Sequence, residues 1–87
     1  EIKASMLLID DIENNIRYLC EEQNEPALTL QVHPFLASYL KKGLFSLKSF
    51  QWKWYKKYKR WIKVDGVSSY HLMEYHFQNK QAEEIKL

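Results

Sequence analysis

The sequence predicts an α+β fold: a three-stranded antiparallel sheet with helices packed on one face, in the order α-β-α-α-β-β. Three observations predict it. Apolar residues recur at three- and four-residue steps from Ile2 to Leu19. A strict alternation follows at residues 28–32. Two runs rich in β-branched and aromatic residues, 60–64 and 70–77, then flank an Asp-Gly pair. Helical and strand periodicities therefore succeed one another along the chain, with too few strands for a sandwich.

In the first element Ile2, Met6, Ile9, Ile12, Ile16 and Leu19 make one helical stripe, with Asp10, Glu13, Asn14, Arg17 and Glu21 mostly opposite. Pro26 disfavours helical geometry at Glu25, so the helix should stop near Gln23. Leu28, Leu30 and Val32 alternate with Thr29 and Gln31, the pattern of a strand with one buried face. Pro34 suits the first turn of a helix, where its missing N–H costs nothing. Phe35, Leu36, Tyr39 and Leu40 supply that helix with an apolar stripe, and Gly43 is a plausible stop.

Residues 44–58 read two ways. Leu47, Phe50, Trp54 and Tyr58 fit a helix, whereas Phe50, Trp52 and Trp54 alternating with Gln51 and Lys53 fit a strand. The length of the stretch and the lack of a turn signal favour the helix. Arg60 to Val64 reads as a strand, Asp65-Gly66 as a turn and Tyr70 to Phe77 as a second strand, giving an antiparallel hairpin with its loop at 65–69. In the polar tail, Glu84 to Leu87 could add a short edge strand.

The 87 residues fit a single small domain, 1–87, with no internal repeat or linker. The chain opens at Glu1, without an initiator Met and already helical in pattern, so it is expected to be excised from the C-terminal part of a larger protein. Hydrophobic content of 46%, with 15% aromatic residues, supports a packed core rather than disorder. Cys20 is the only cysteine, which excludes an internal disulfide and a Cys-rich zinc site and suits a reducing, cytoplasmic setting. No run of about 18 apolar residues is present, so no membrane partner is expected.

The net charge of +2 conceals strong segregation. Residues 1–33 carry seven acids against Lys3 and Arg17. Residues 34–64 carry nine bases and no acid. Within that block, Lys53, Lys56, Lys57, Lys59, Arg60 and Lys63 are interleaved with Trp52, Trp54, Tyr55, Tyr58 and Trp61. Cationic groups neutralise phosphates and exposed rings stack on bases, so the combination points to single-stranded RNA. The structural alternative turns the rings inward and leaves the lysines as a solvated face. Under it Leu47, Phe50, Trp54 and Tyr58 face the core together, while Trp52 and Trp61 are the rings expected to stay outside. The candidate RNA-binding set is therefore Lys53, Lys56, Lys57, Lys59, Arg60, Lys63, Trp52 and Trp61. The acidic first helix and the basic second half also suit association between copies or with another domain.

Other constellations carry little chemistry. His71 and His76 are five apart, on opposite faces of a strand, and His33 precedes Pro34, so the sequence offers no metal or acid–base set. Asp10 and Asp11 point about 100° apart on a helix. No serine lies in a Gly-x-Ser-x-Gly setting, and Ser68-Ser69 reads as hairpin loop. Cys20, beside Ile16 and Leu19, reads as a small buried hydrophobe.

The segment Leu30-Gln31-Val32-His33-Pro34-Phe35-Leu36-Ala37-Ser38-Tyr39-Leu40 resembles a stretch near the C-terminal end of the ribonuclease E/G catalytic region, where a strand ends in Val-His and a helix bearing Ala-Ser-Tyr-Leu follows. Arg60 to Val64 and Tyr70-His71 onward are similar to the closing hairpin of that family's small domain. Gly43 to Tyr58 is far more aromatic and basic than the familiar enterobacterial pattern. The resemblance implies a non-catalytic piece of a magnesium-dependent endoribonuclease. Its active-site aspartates and zinc link would lie in the parent, so the fragment itself would hold no cofactor and no catalytic residue. Its implied partners are the parent's catalytic domain and further copies of itself. The reading set against it is a free-standing protein-interaction module without nucleic-acid binding; a small hydrolase is the third.

Overall fold

A computed structural model describes residues 2–42 and 50–87, with side chains from Met6 onward. Helix α1 spans Ile2–Arg17 and runs into a π-helical turn at Tyr18–Glu22. The turn ends where Asn24 takes a left-handed backbone (φ 54°), a conformation its short amide side chain tolerates. The Glu25 N–H closes the end by donating to the Leu19 carbonyl at 2.9 Å. Strand β1 (Leu28–Val32) follows, then helix α2 (Pro34–Lys42), helix α3 (Phe50–Tyr58), and strands β2 (Ile62–Gly66), β3 (Tyr75–Gln78) and β4 (Glu84–Ile85). Gly43, Leu47 and the expected helix over 44–49 lie outside the described residues.

The fold is α+β, but the sheet is four-stranded and mixed, in the order β2-β1-β3-β4. This corrects the expected three-stranded antiparallel sheet. Strand β1 pairs β2 in parallel, Leu28 opposite Ile62 and Val32 opposite Gly66. On its other side β1 pairs β3 antiparallel, Leu30 opposite Phe77. The expected hairpin of two adjacent strands does not form, because β1 lies between them. The chain leaving β1 travels through two helices before β2, a connection long enough to bring the next strand back parallel.

Asp65 and Gly66 belong to β2 rather than to a turn. Glycine serves there for close approach: a Cβ on Gly66 would lie 3.0 Å from the Pro34 Cα at the start of α2. The loop is 67–74, two successive turns closed by Tyr70 N–H to Val67 O and Glu74 N–H to His71 O, both at 3.1 Å. Residues 70–74, expected as strand, are therefore loop.

One core cluster unites the elements. Leu28, Leu30, Val32, Ile62, Val64 and Phe77 project from one sheet face toward Ile9, Ile12, Ile16 and Leu19 of the first helical segment, Leu36 and Leu40 of α2, and Trp54 and Tyr58 of α3. Two stripe residues are displaced from their expected places. Met6 is exposed and Leu8 buried. At about 100° per residue Met6 lies ~120° round the helix from Ile12, against ~40° for Leu8. Phe35, on the opposite side of α2 from Ala37, is 73% exposed. His33 joins β1 to α2: its Nδ1 accepts the Phe35 N–H at 3.1 Å and its carbonyl accepts the Ala37 N–H, so it caps the helix.

Candidate nucleic-acid interface

Helix α3 divides its aromatic residues between two faces. Gln51, Trp54 and Tyr58 are buried, and Phe50 packs half-buried against the core. Gln51 donates through Nε2 to the Ile62 carbonyl at 2.9 Å, fixing the helix to the start of β2. Trp52, Lys53, Tyr55, Lys56 and Lys57 face outward. Lys59 ends the helix in a left-handed conformation (φ 62°), its N–H bonded to the Tyr55 carbonyl at 2.8 Å, and the chain turns through Arg60 and Trp61 into β2.

That turn brings three exposed rings into a row. Trp52 and Tyr55, one helical turn apart, have centroids 5.9 Å apart at 26°. Tyr55 and Trp61 are 6.2 Å apart at 60°. Trp52 and Trp61 were the rings expected outside; Tyr55, which the sequence reading left out of the candidate set, sits between them. The three-residue step from Trp52 to Tyr55 already places the pair on one helical face and was the signal available.

The six candidate bases fall into two groups. Lys57 Nζ lies 2.8 Å from Glu13 Oε2 on α1, and Tyr58 donates its hydroxyl to the same oxygen at 3.3 Å. Partial burial pushes the Glu13 carboxyl up. Lys57 outweighs it, helped by Tyr58 and by the Trp54 indole outside ordinary hydrogen-bond geometry, so the pKa falls below the usual carboxylate range. The bond to Glu13 raises that of Lys57 in turn. Arg60 is half-buried, donating to Asn24 Oδ1 at 2.9 Å and reaching the Tyr58 carbonyl at 3.5 Å. Lys57 thus ties α3 to α1, and Arg60 ties the turn after α3 to the chain just beyond the π-helical turn. Lys53 lies 4.9 Å over the Phe50 ring with its charge still outward. Lys56 and Lys59 are exposed near the rings, while Lys63 projects from β2 onto the sheet face away from the helices.

A second polar group occupies that uncovered face. His76 sits between two carboxylates, Nε2 at 2.8 Å from Glu74 and Nδ1 at 3.1 Å from Glu84, with the Tyr70 ring edge-on at 5.1 Å. Among the described residues no three His, Cys, Asp or Glu side chains are arranged to hold a metal ion. Cys20 is buried, and burial pushes its thiol up. No described helix is long and apolar enough to cross a membrane. No protein-family model, curated protein or solved structure matches the chain.

Proposed function

We propose that this chain is a non-catalytic C-terminal domain of a bacterial, cytoplasmic ribonuclease E/G-type endoribonuclease. It supports the parent's catalytic domain, contributes to subunit assembly and makes auxiliary contact with RNA. The observation that carries the RNA contact is a fixed helix, α3, whose buried side is core and whose outward side presents Trp52, Lys53, Tyr55 and Lys56, with Lys59 at its end and Trp61 in the turn that follows. The resemblance supports the parent. The segment that carries the resemblance, residues 30–40, takes in the end of β1, the His33 cap and most of α2, a strand–helix joint like the one on which the likeness was drawn. Exposed Met6 and Leu7 on α1 and Phe35 on α2 are apolar surface suited to a protein neighbour, which supports the assembly role.

An unstructured RNA titrated against the chain by fluorescence anisotropy tests the reading. Lys53, Lys56, Lys59 and Lys63 stand outside any ion pair described here. Lys53, Lys56 and Lys59 belong to the α3 side, and three phosphate contacts give a salt slope near −2 for a single strand, so raising salt from about 50 to 200 mM should weaken binding roughly twentyfold. Lys56→Glu with Lys59→Glu should abolish binding at the lower salt. Absence of RNA binding by the unaltered chain at low salt removes the RNA contact from the proposal. Cleavage of RNA by the isolated chain with magnesium refutes the non-catalytic assignment.

A further inference from the structure

We infer that Trp52, Tyr55 and Trp61 form a stacking platform for the bases of single-stranded RNA, with Lys56 and Lys59 placed for the flanking phosphates. The inference rests on the RNA contact proposed above and deepens it by naming the ligand class and the part of the nucleic acid that is recognised.

The three rings are 39%, 42% and 50% exposed and adjoin one another from α3 to the entry of β2. The same helix gives Phe50, Trp54 and Tyr58 to the core and turns Trp52 and Tyr55 outward. Admitting a base between two parallel rings takes about 6.8 Å, twice the 3.4 Å step of a nucleic-acid strand. The Trp52–Tyr55 centroid separation is 5.9 Å. Bases therefore stack on outward ring faces rather than between the rings.

The 60° tilt from Tyr55 to Trp61 bends the row. A single strand follows such a bend by rotating its backbone, whereas a duplex keeps its base faces within its own stack. The electrostatics agree. Lys56 lies between Tyr55 and the helix end, Lys59 follows one turn on, and residues 34–64 contain no acid to repel a polyanion. The nearest carboxylate tied to this helix, Glu13, is engaged by Lys57. An anionic membrane would also meet lysines and tryptophans, but a bilayer surface has no stacking counterpart for a tilted row of rings and favours apolar side chains that insert.

The test titrates the full 87-residue chain with a short oligo-uridine, with an RNA duplex of equal length and with phosphatidylserine vesicles, at low salt. Tryptophan fluorescence is read alongside anisotropy. The single strand should bind at least tenfold tighter than the duplex and quench the tryptophans. Tyr55→Ala and Trp61→Ala should each weaken binding roughly tenfold, the size of one base–ring stack, while Trp61→Phe retains most of the affinity. Lys56→Ala should make the salt slope shallower by about 0.7 and leave the preference for single strands intact. Thermal denaturation checks that each surface variant is folded.

Ring variants that bind as the parent does, while lysine variants weaken, overturn the platform and leave a purely electrostatic RNA contact standing. Equal affinity for duplex overturns it as well. Ring-dependent binding to vesicles that exceeds binding to RNA reassigns the ridge to a membrane surface and overturns it. No RNA binding at all overturns both this inference and the RNA contact on which it rests.

Discussion

Tyr75→Phe isolates the hydroxyl that joins the first helix to the sheet. Tyr75 Oη donates to Asp11 Oδ2 at 2.6 Å and accepts from Asn15 Nδ2 at 2.7 Å, so one atom bridges two turns of α1 to β3. A hydrogen bond to a charged group contributes about 1.5–3 kcal/mol net, and one between neutral groups about 1. Asp11 is exposed and water replaces its lost partner, which places the total near the low end, about 1.5 kcal/mol. For a domain of this size that corresponds to a fall in Tm of roughly 6–12 °C.

The same atom predicts a pH signature. Partial burial, and then the Asp11 carboxylate, push the Tyr75 phenol from 10 up to about 12. The folded state therefore holds its proton more tightly than the unfolded chain. The stabilisation is complete below pH 10 and is lost as pH rises toward 12. The full linkage of about 2.7 kcal/mol is reduced by solvent screening at this half-exposed site to roughly 1 kcal/mol. Urea unfolding of both chains from pH 7 to 11.5 measures the difference directly, because lysines and the other tyrosines titrate in both. The stability gap should be widest near neutrality and narrow above pH 10. A gap of constant size across the range, or no gap at pH 7, refutes the bridge.

Three further outcomes follow from named contacts. Gly66→Ala puts a Cβ 3.0 Å from backbone at Pro34 and should cost about 1–2 kcal/mol in urea unfolding, whereas Ser68→Ala in the exposed loop should be neutral. Gln51→Leu leaves the Ile62 carbonyl without its 2.9 Å donor and should cost roughly 1–2 kcal/mol, read as a lower urea midpoint with an unchanged m-value. His76 has its pKa raised, chiefly by its bond to Glu74, and Glu74 has its pKa lowered chiefly by His76. The contact is therefore strongest between the ordinary values of 4.5 and 6.5, fading as pH rises through the His76 pKa or falls through that of Glu74. Wild type minus His76→Leu stability, measured from pH 3 to 9, should peak inside that window.

Local pattern and long-range pairing were unequally legible in the sequence. The step of three and four residues through Ile9, Ile12, Ile16 and Leu19 gave α1, the alternation at Leu28, Leu30 and Val32 gave β1, and Pro34 marked the start of α2. Each depends on neighbours within a few residues. The pairing of β2 depends on where two helices return the chain, and nothing near Arg60 to Val64 encodes that. Asp65-Gly66 has the composition of a turn, yet its glycine answers to Pro34, more than thirty residues away. In the interface, helical spacing alone separated inward Trp54 and Tyr58 from outward Trp52, and Trp61, beyond the helix, was expected outside as well. The sequence did not distinguish Lys57 and Arg60, engaged by Glu13 and Asn24, from Lys56 and Lys59, because those partners come from a different element.

The division of α3 into two faces also fixes what mutation can separate. Its inward side is anchored by Trp54, 1% exposed, by Tyr58 and by the Gln51 bond to Ile62, while Lys57 binds it to Glu13 of α1 and Arg60 holds the turn that follows it to Asn24. An anchored helix carries its outward side chains at set spacing whether or not a ligand is present, so a ligand meets a row of rings that loses little freedom on binding. Substitutions at Tyr55, Lys56 and Trp61 therefore change what the surface holds and leave the fold in place, whereas Gln51 or Trp54 substitutions displace the whole row at once. A ligand that stabilises the chain thermally should then lose its effect in Tyr55→Ala at unchanged intrinsic Tm, since mass action couples binding to folding only through contacts that the folded state presents.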